Sequence, residues 1–303
     1  MRIGIDLGGT KIEGAAIEGS SELLRLRIRT PRGDYSATIR EVRDLVCALE
    51  TELGRQGTVG IGIPGAVSAK TGLVKNANST WLNGKPLDRD LARALGRPVR
   101  LMNDANCFAL SEATDGAGQG AHIVFGVIIG TGTGAGIVVN GQVLEGRNRI
   151  SGEWGHNPLP WPTSHERPGP ACYCGRTGCI ETFLSGPGLS STYAALASDQ
   201  AEANEIAAKA LSGDRLAGDA LDVYEERLAR ALASIINVID PDVIVLGGGL
   251  SNIKRLYTNV PALWQSFVFS DSADTPLVPA RHGDASGVRG AAWLWRDTDE
   301  ESI

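Results

Sequence analysis

Twice along this 303-residue chain a strand runs into a glycine-rich turn, returns as a second strand and, after a tight turn, leaves as a third. In the first pass the strands read as residues 1–7, 11–18 and 22–29, joined by Gly8-Gly9-Thr10 and Gly19-Ser20-Ser21. In the second they read as 123–129, 135–139 and 142–144, joined by Gly130-Thr131-Gly132-Thr133-Gly134 and by Asn140-Gly141, a pair that favours a type I′ hairpin. Helical spacing follows each pass. Ile39, Val42, Leu45, Val46, Leu49 and Leu53 share one face; Leu228, Leu232, Ile235, Ile236 and Ile239 share another, on a helix that must stop at Asp240-Pro241. Apolar strands are expected at 59–63, 98–102 and 242–246. Such a duplication of pattern predicts two α/β units, 1–118 and 119–303, divided within the small-residue stretch 115–121. A C-terminal helix near 287–296 is expected to pack back on the first unit.

The balance of 29 Lys and Arg against 35 Asp and Glu leaves a net charge of −6, which disfavours binding along a nucleic-acid backbone. No apolar run is long enough to cross a bilayer. The chain opens directly on a strand, so no signal peptide is expected and the reading is cytoplasmic. With 42% hydrophobic residues there is ample material for a core, and the 39 glycines gather at strand ends, where backbone must approach a ligand.

Four constellations carry chemistry. Asp6-Leu7-Gly8-Gly9-Thr10-Lys11 ends a strand in a carboxylate and turns through two glycines beside a hydroxyl and an ammonium, a set suited to phosphate oxygens and a metal-bound water. The turn at 130–136 stands at the matching place in the second unit, so the two could hold a triphosphate from both sides. No P-loop is present, and Gly60-Ile61-Gly62-Ile63-Pro64-Gly65 matches a dinucleotide motif by letters only, its proline and the lack of a clear helix after it speaking against such a site. Asn103-Asp104-Ala105-Asn106 places a carboxylate at a strand's carboxyl edge, where it can accept a substrate proton or cap the helix after it, with Asn106 nearer the cap. Cys172, Cys174 and Cys179 put three of five cysteines within eight residues; with one imidazole they satisfy tetrahedral zinc, His156 being the nearest upstream histidine and His165 its rival.

Glu153, His156 and Glu181 flank that knuckle and suit vicinal sugar hydroxyls. Trp81, within Asn76 to Gly84, offers either a carbohydrate platform or a core anchor for its loop. Gly247-Gly248-Gly249 lets a base or ribose lie on backbone. Cys47 and Cys107 fit helix core positions, while His165, His282 and the acidic stretch 297–301 are expected in solvent.

In this order and spacing the motifs resemble the ROK family of sugar kinases, within the actin/hexokinase-like superfamily, over essentially the whole chain. The resemblance implies a duplicated actin/hexokinase-like (ribonuclease H-like) two-domain fold. Segments 76–87 and 155–161 look most like the bacterial fructokinase branch of manno(fructo)kinase type, implying fructose to fructose 6-phosphate, with N-acetylglucosamine kinase as the neighbouring alternative. A related sugar-sensing regulator is disfavoured, since the first phosphate strand leaves no room for a helix-turn-helix. The resemblance further implies Asp104 as general base; Asn103, Glu153, His156, Glu181, Asn78 and Gly65 at the sugar; and Asp6 orienting Mg²⁺. Gly8, Gly9, Thr10, Lys11, Thr131, Gly132 and Thr133 would take the phosphates of ATP, and Gly247, Gly248 and Gly249 the adenosine. His156, Cys172, Cys174 and Cys179 would hold structural zinc, with His156 shared between metal and sugar, in a homodimer.

Overall fold

Two five-stranded sheets of one shared topology carry the fold. The computed structural model describes residues 1–296, so the stretch 297–301 lies outside the described residues. In chain order the elements are β1 (Arg2–Leu7), β2 (Lys11–Glu18), β3 (Ser21–Arg29), α1 (Tyr35–Leu53), β4 (Thr58–Ile63), β5 (Ala66–Val67), β6 (Val74–Lys75), α2 (Leu87–Leu95), β7 (Val99–Asn103) and α3 (Asp104–Thr114). They continue as β8 (Ile123–Ile129), β9 (Thr133–Val139), β10 (Gln142–Val143), α4 (Ile180–Leu184), α5 (Gly186–Ala197), α6 (Ala203–Leu211), α7 (Arg215–Ile239), β11 (Val243–Gly247), α8 (Leu256–Trp264), β12 (Leu277–Pro279) and α9 (Ser286–Ala292). The first sheet runs β3-β2-β1-β4-β7 and the second β10-β9-β8-β11-β12. In each, three antiparallel strands are followed by two that run parallel to the first.

This topology decides where a ligand can go. Parallel β1, β4 and β7 end together, Asp6 opposite Gly62 and Ile63 opposite Asn103. In the second sheet β8 and β11 end together, Ile128 opposite Gly247. Carboxyl ends of adjacent parallel strands leave a crevice that no backbone fills, the usual ligand position in α/β folds.

The helices cross over between the sheets. Phe108, Ala109 and Leu110 of α3 share a core with Val124, Val138, Val243 and Val245 of the second sheet. Helix α9 lies on the first sheet: a β-carbon at Gly4 would collide with the Val288 carbonyl, and one at Gly60 with that of Ala291. A β-carbon at Gly290 would in turn collide with the Cys107 carbonyl, so α3 and α9 touch backbone to backbone. The stretch 115–121 is not loose. Gly116 lies against the fully buried Glu112, whose Oε2 accepts from the Ala117 N–H (2.9 Å).

Two smaller expectations are corrected and two are met. Cys47 is exposed, because the buried face of α1 runs through Thr38, Val42, Leu45, Val46 and Leu49 and leaves position 47 outside it. His282 is held rather than solvated, its Nε2 3.1 Å from Asp115 Oδ1. Asn140 and Gly141 do turn through positive φ (51° and 72°), and α7 stops at Asp240 with φ of 42°, as their sequence signals require.

Candidate active site

Asp6 stands at the end of β1, where burial raises its pKa to about 6; Lys11 opposes that rise and Glu13 adds to it. The following turn is tied down from outside: Thr30 Oγ1 donates to the Gly8 carbonyl (2.7 Å) and Arg32 Nε to that of Gly9 (3.0 Å). Lys11 leans on buried Glu13 (3.4 Å), which also takes Arg25 and Arg27. Burial would raise the Glu13 pKa, but those two guanidinium groups hold it below the ordinary range.

At the end of β7 the helix cap is Asn103, not Asn106. Its Oδ1 accepts from Ala105 N–H (3.0 Å) and Asn106 N–H (3.3 Å), and its Nδ2 donates to the Gly65 carbonyl (3.1 Å). Asparagine is a preferred cap because its short amide reaches the second and third helical N–H groups. Gly65 is required there by its φ of +79° and by the Lys75 carbonyl, with which a side chain would collide.

The cap makes Asp104 the first helical residue, at the carboxyl end of β7. Burial raises its pKa to about 6; the charge of Asp6 adds, the Ala105 N–H (2.8 Å) opposes, and Glu153 adds again. Asp104 thus feels the charges of Asp6 from the first sheet and of Glu153 from the second half. Cys107, one turn on, is buried, and its thiol is held well above the ordinary range by burial, then by Asp104 and Asp6, so it stays neutral.

From the second sheet, residues 152–156 lie directly on β9. Side chains at Gly152 and Gly155 would collide with the Ala135 and Thr133 carbonyls, and buried Trp154 packs edge-on to Phe125 at 5.6 Å between centroids. That anchor sets Glu153 and His156 beside the second glycine turn. Glu181, in the first turn of α4, accepts the Thr133 N–H on Oε2 (2.9 Å), so this carboxylate braces the turn. Buried Thr133 Oγ1 has no partner among the described residues.

His156, Cys172, Cys174 and Cys179 present ligand atoms all within 4.8 Å of one another; exposed His165 is not among them. Cys174 Sγ and Cys179 Sγ are 3.6 Å apart, as are Cys172 Sγ and His156 Nδ1. A tetrahedral zinc ion needs edges of about 3.8 Å between sulfurs and about 3.5 Å between sulfur and nitrogen, so the set fits. The knuckle is locked by Cys172 N–H to the Arg176 carbonyl (2.8 Å) and by Ile180 N–H to the Asn157 carbonyl (2.9 Å). The other imidazole nitrogen, Nε2, lies 2.9 Å from the hydroxyl of Tyr173, a residue the motif reading passed over; its place between two cysteines was the only signal.

Other residues land where packing explains them. Trp81 anchors its loop, its indole N–H donating to Thr38 Oγ1 (3.2 Å), while Asn78 is exposed. That loop reaches the first glycine turn, where a side chain at Gly9 would stand 3.3 Å from Ser79 Oγ. A β-carbon at Gly247 would enter the Phe108 ring, and Gly248 sits at φ +81° against Ile129; only Gly249 of the three has open space where a β-carbon would stand.

The ROK family model matches residues 2–298. The chain belongs to the ROK family. It is 42% identical to the N-acetyl-D-glucosamine kinase of Photobacterium profundum, over 97% of this chain and 99% of that one. The ROK hexokinase of Thermus thermophilus superposes with a TM-score of 0.85 at 32% identity, covering 96% of each chain. A ROK glucokinase of Streptomyces griseus, solved with glucose and AMPPNP, does so with 0.77 at 27% identity, over 97% of this chain and 98% of that one. The duplicated actin/hexokinase-like fold is thereby established. The likeness supports a ROK sugar kinase and overturns the expected fructokinase branch: relatives at about 40% identity are N-acetyl-D-glucosamine kinases. The likeness of segments 76–87 and 155–161 to the fructokinase branch therefore did not identify the sugar. Among the described residues no helix is long and apolar enough to cross a membrane.

Proposed function

We propose that this ROK protein transfers the γ-phosphoryl group of ATP to the 6-hydroxyl of N-acetyl-D-glucosamine, with Asp104 as the base. The observation that carries the reading is the placement of Asp104: a carboxylate at a strand's carboxyl edge, with a pKa raised to about 6 by burial and by neighbouring acids. A base poised near the working pH is ionised yet still takes a proton readily. Phosphoryl transfer asks little covalent chemistry of a protein, so positioning and charge neutralisation do most of the work.

In this reading Asn103 fixes Asp104 through the cap, and Gly65 fixes Asn103. Glu153, His156, Glu181 and Asn78 face the sugar's other hydroxyls. The turn of Gly8, Gly9 and Thr10, with Lys11, and that of Thr131, Gly132 and Thr133 receive the phosphates, while Gly249 opens the adenosine end beside Gly247 and Gly248. Asp6 meets the Mg²⁺ that arrives with the nucleotide. Zinc held by His156 and the three cysteines would be structural, every position being filled by protein. The units 1–118 and 119–303 would close about the crossing of α3 and α9, excluding water from the reacting oxygens. The active form would be a cytoplasmic homodimer.

A coupled assay of ADP release over a panel of hexoses tests the reading. N-acetyl-D-glucosamine is expected to give the highest kcat/KM. A preference for fructose or mannose, or no release with any sugar, would refute it.

A further inference from the structure

Tyr173 stands where an ordinary knuckle residue has no reason to be. It is 80% exposed, and its ring meets the His156 imidazole edge-on, centroids 5.1 Å apart at 86°. Its hydroxyl lies 2.9 Å from Nε2, the ring nitrogen turned away from Cys172. An exposed aromatic ring with its hydroxyl on a polar neighbour suits a ligand with an apolar face and a polar edge.

We propose that Tyr173 is a sugar-positioning and specificity residue: its hydroxyl holds the Nε2 edge of His156 while the site is empty, and its ring covers the edge of the bound sugar opposite the reacting hydroxyl. This rests on the kinase reading above. If Asp104 takes the proton of the 6-hydroxyl from one wall, the wall of His156, Glu181 and Tyr173 receives carbons 1 and 2. Carbon 2 is where an N-acetylated hexosamine differs from a simple hexose. An acetamido group offers a flat apolar methyl-carbonyl surface for the ring and an N–H or carbonyl for the phenol.

The test compares Tyr173→Ala and Tyr173→Phe in the full chain, measuring kcat and KM for N-acetyl-D-glucosamine, glucose and ATP, together with zinc content. Pocket contacts of this kind change discrimination by roughly 10- to 200-fold. The alanine variant is therefore expected to raise the KM for N-acetyl-D-glucosamine about 10-fold or more, with kcat and the KM for ATP changed by less than about threefold. The KM for glucose should rise less, and zinc should stay at the wild-type level. Kinetics within about twofold of wild type for both sugars would overturn the proposal, as would an equal loss for both. Should the alanine variant lose zinc, the phenylalanine variant decides: an unchanged ratio of the two sugars with zinc retained overturns the proposal. A wild-type protein that phosphorylates neither sugar would instead sink the kinase reading.

Discussion

The two halves reach the cleft by different means. The first half delivers its acids from regular structure: Asp6 ends β1, and Asp104 opens α3 behind an asparagine cap. The second half delivers Glu153, His156 and Glu181 from short turns, which the backbone of β9, a buried tryptophan and the cysteine knuckle hold in place. Equivalent glycine turns show the same contrast. The first is tied by Thr30 and Arg32 side chains to its carbonyls, the second by a carboxylate, Glu181, to an N–H. Proton transfer needs one atom fixed, which a helix N-terminus does well, whereas recognition of several hydroxyls needs groups fanned around a ring, which turns can supply only if stapled.

That division separates the expected losses. Asp104→Asn keeps the cap and the sugar-facing wall, so it should cut kcat by about 10²- to 10⁴-fold with sugar binding largely retained. A fall in sugar affinity with kcat preserved would break the division. The same variant carries a stability signature. Asp104 is raised from 3.8 to about 6 in the fold, so it binds its proton more tightly folded than unfolded. Its contribution is full below pH 3.8 and lost as pH rises through 6, so the variant should be more stable than wild type at pH 8, by roughly 3 kcal/mol, and equal below about pH 3. Thermal unfolding across that range checks the sign. Next in size, Cys172→Ser should release zinc and raise the KM for sugar about 10- to 100-fold while the KM for ATP stays nearly level, measured by metal analysis and steady-state kinetics. Equal losses for both substrates would show that the knuckle supports the whole fold rather than one wall.

Much of this was legible in the chain because it rests on local chemistry. Period-two strands, an Asn-Gly hairpin and a proline stop need only neighbours in sequence, and the thiols of the knuckle lie within one short loop. What escaped depends on elements far apart. Nothing near Gly247 announces Phe108, and nothing near Gly60 announces the backbone of α9, so the close helix approaches at these glycines could not be read from their neighbours. The sequence favours Asn106 near the cap, whereas the helix starts at Asp104 and makes Asn103 the cap. Tyr173 was invisible because an exposed aromatic carries no periodicity. The sugar was misassigned because a difference of one substituent between two hexoses leaves no local sequence signal as plain as a thiol cluster or a hairpin turn.

The most direct test is a crystal structure of the protein with N-acetyl-D-glucosamine and a non-hydrolysable ATP analogue. A carboxylate oxygen of Asp104 is expected within about 2.6–3.2 Å of the sugar's 6-hydroxyl, with the terminal phosphate on the far side of that oxygen. A carboxylate turned out of the cleft, or another hydroxyl nearest to it, would contradict the account.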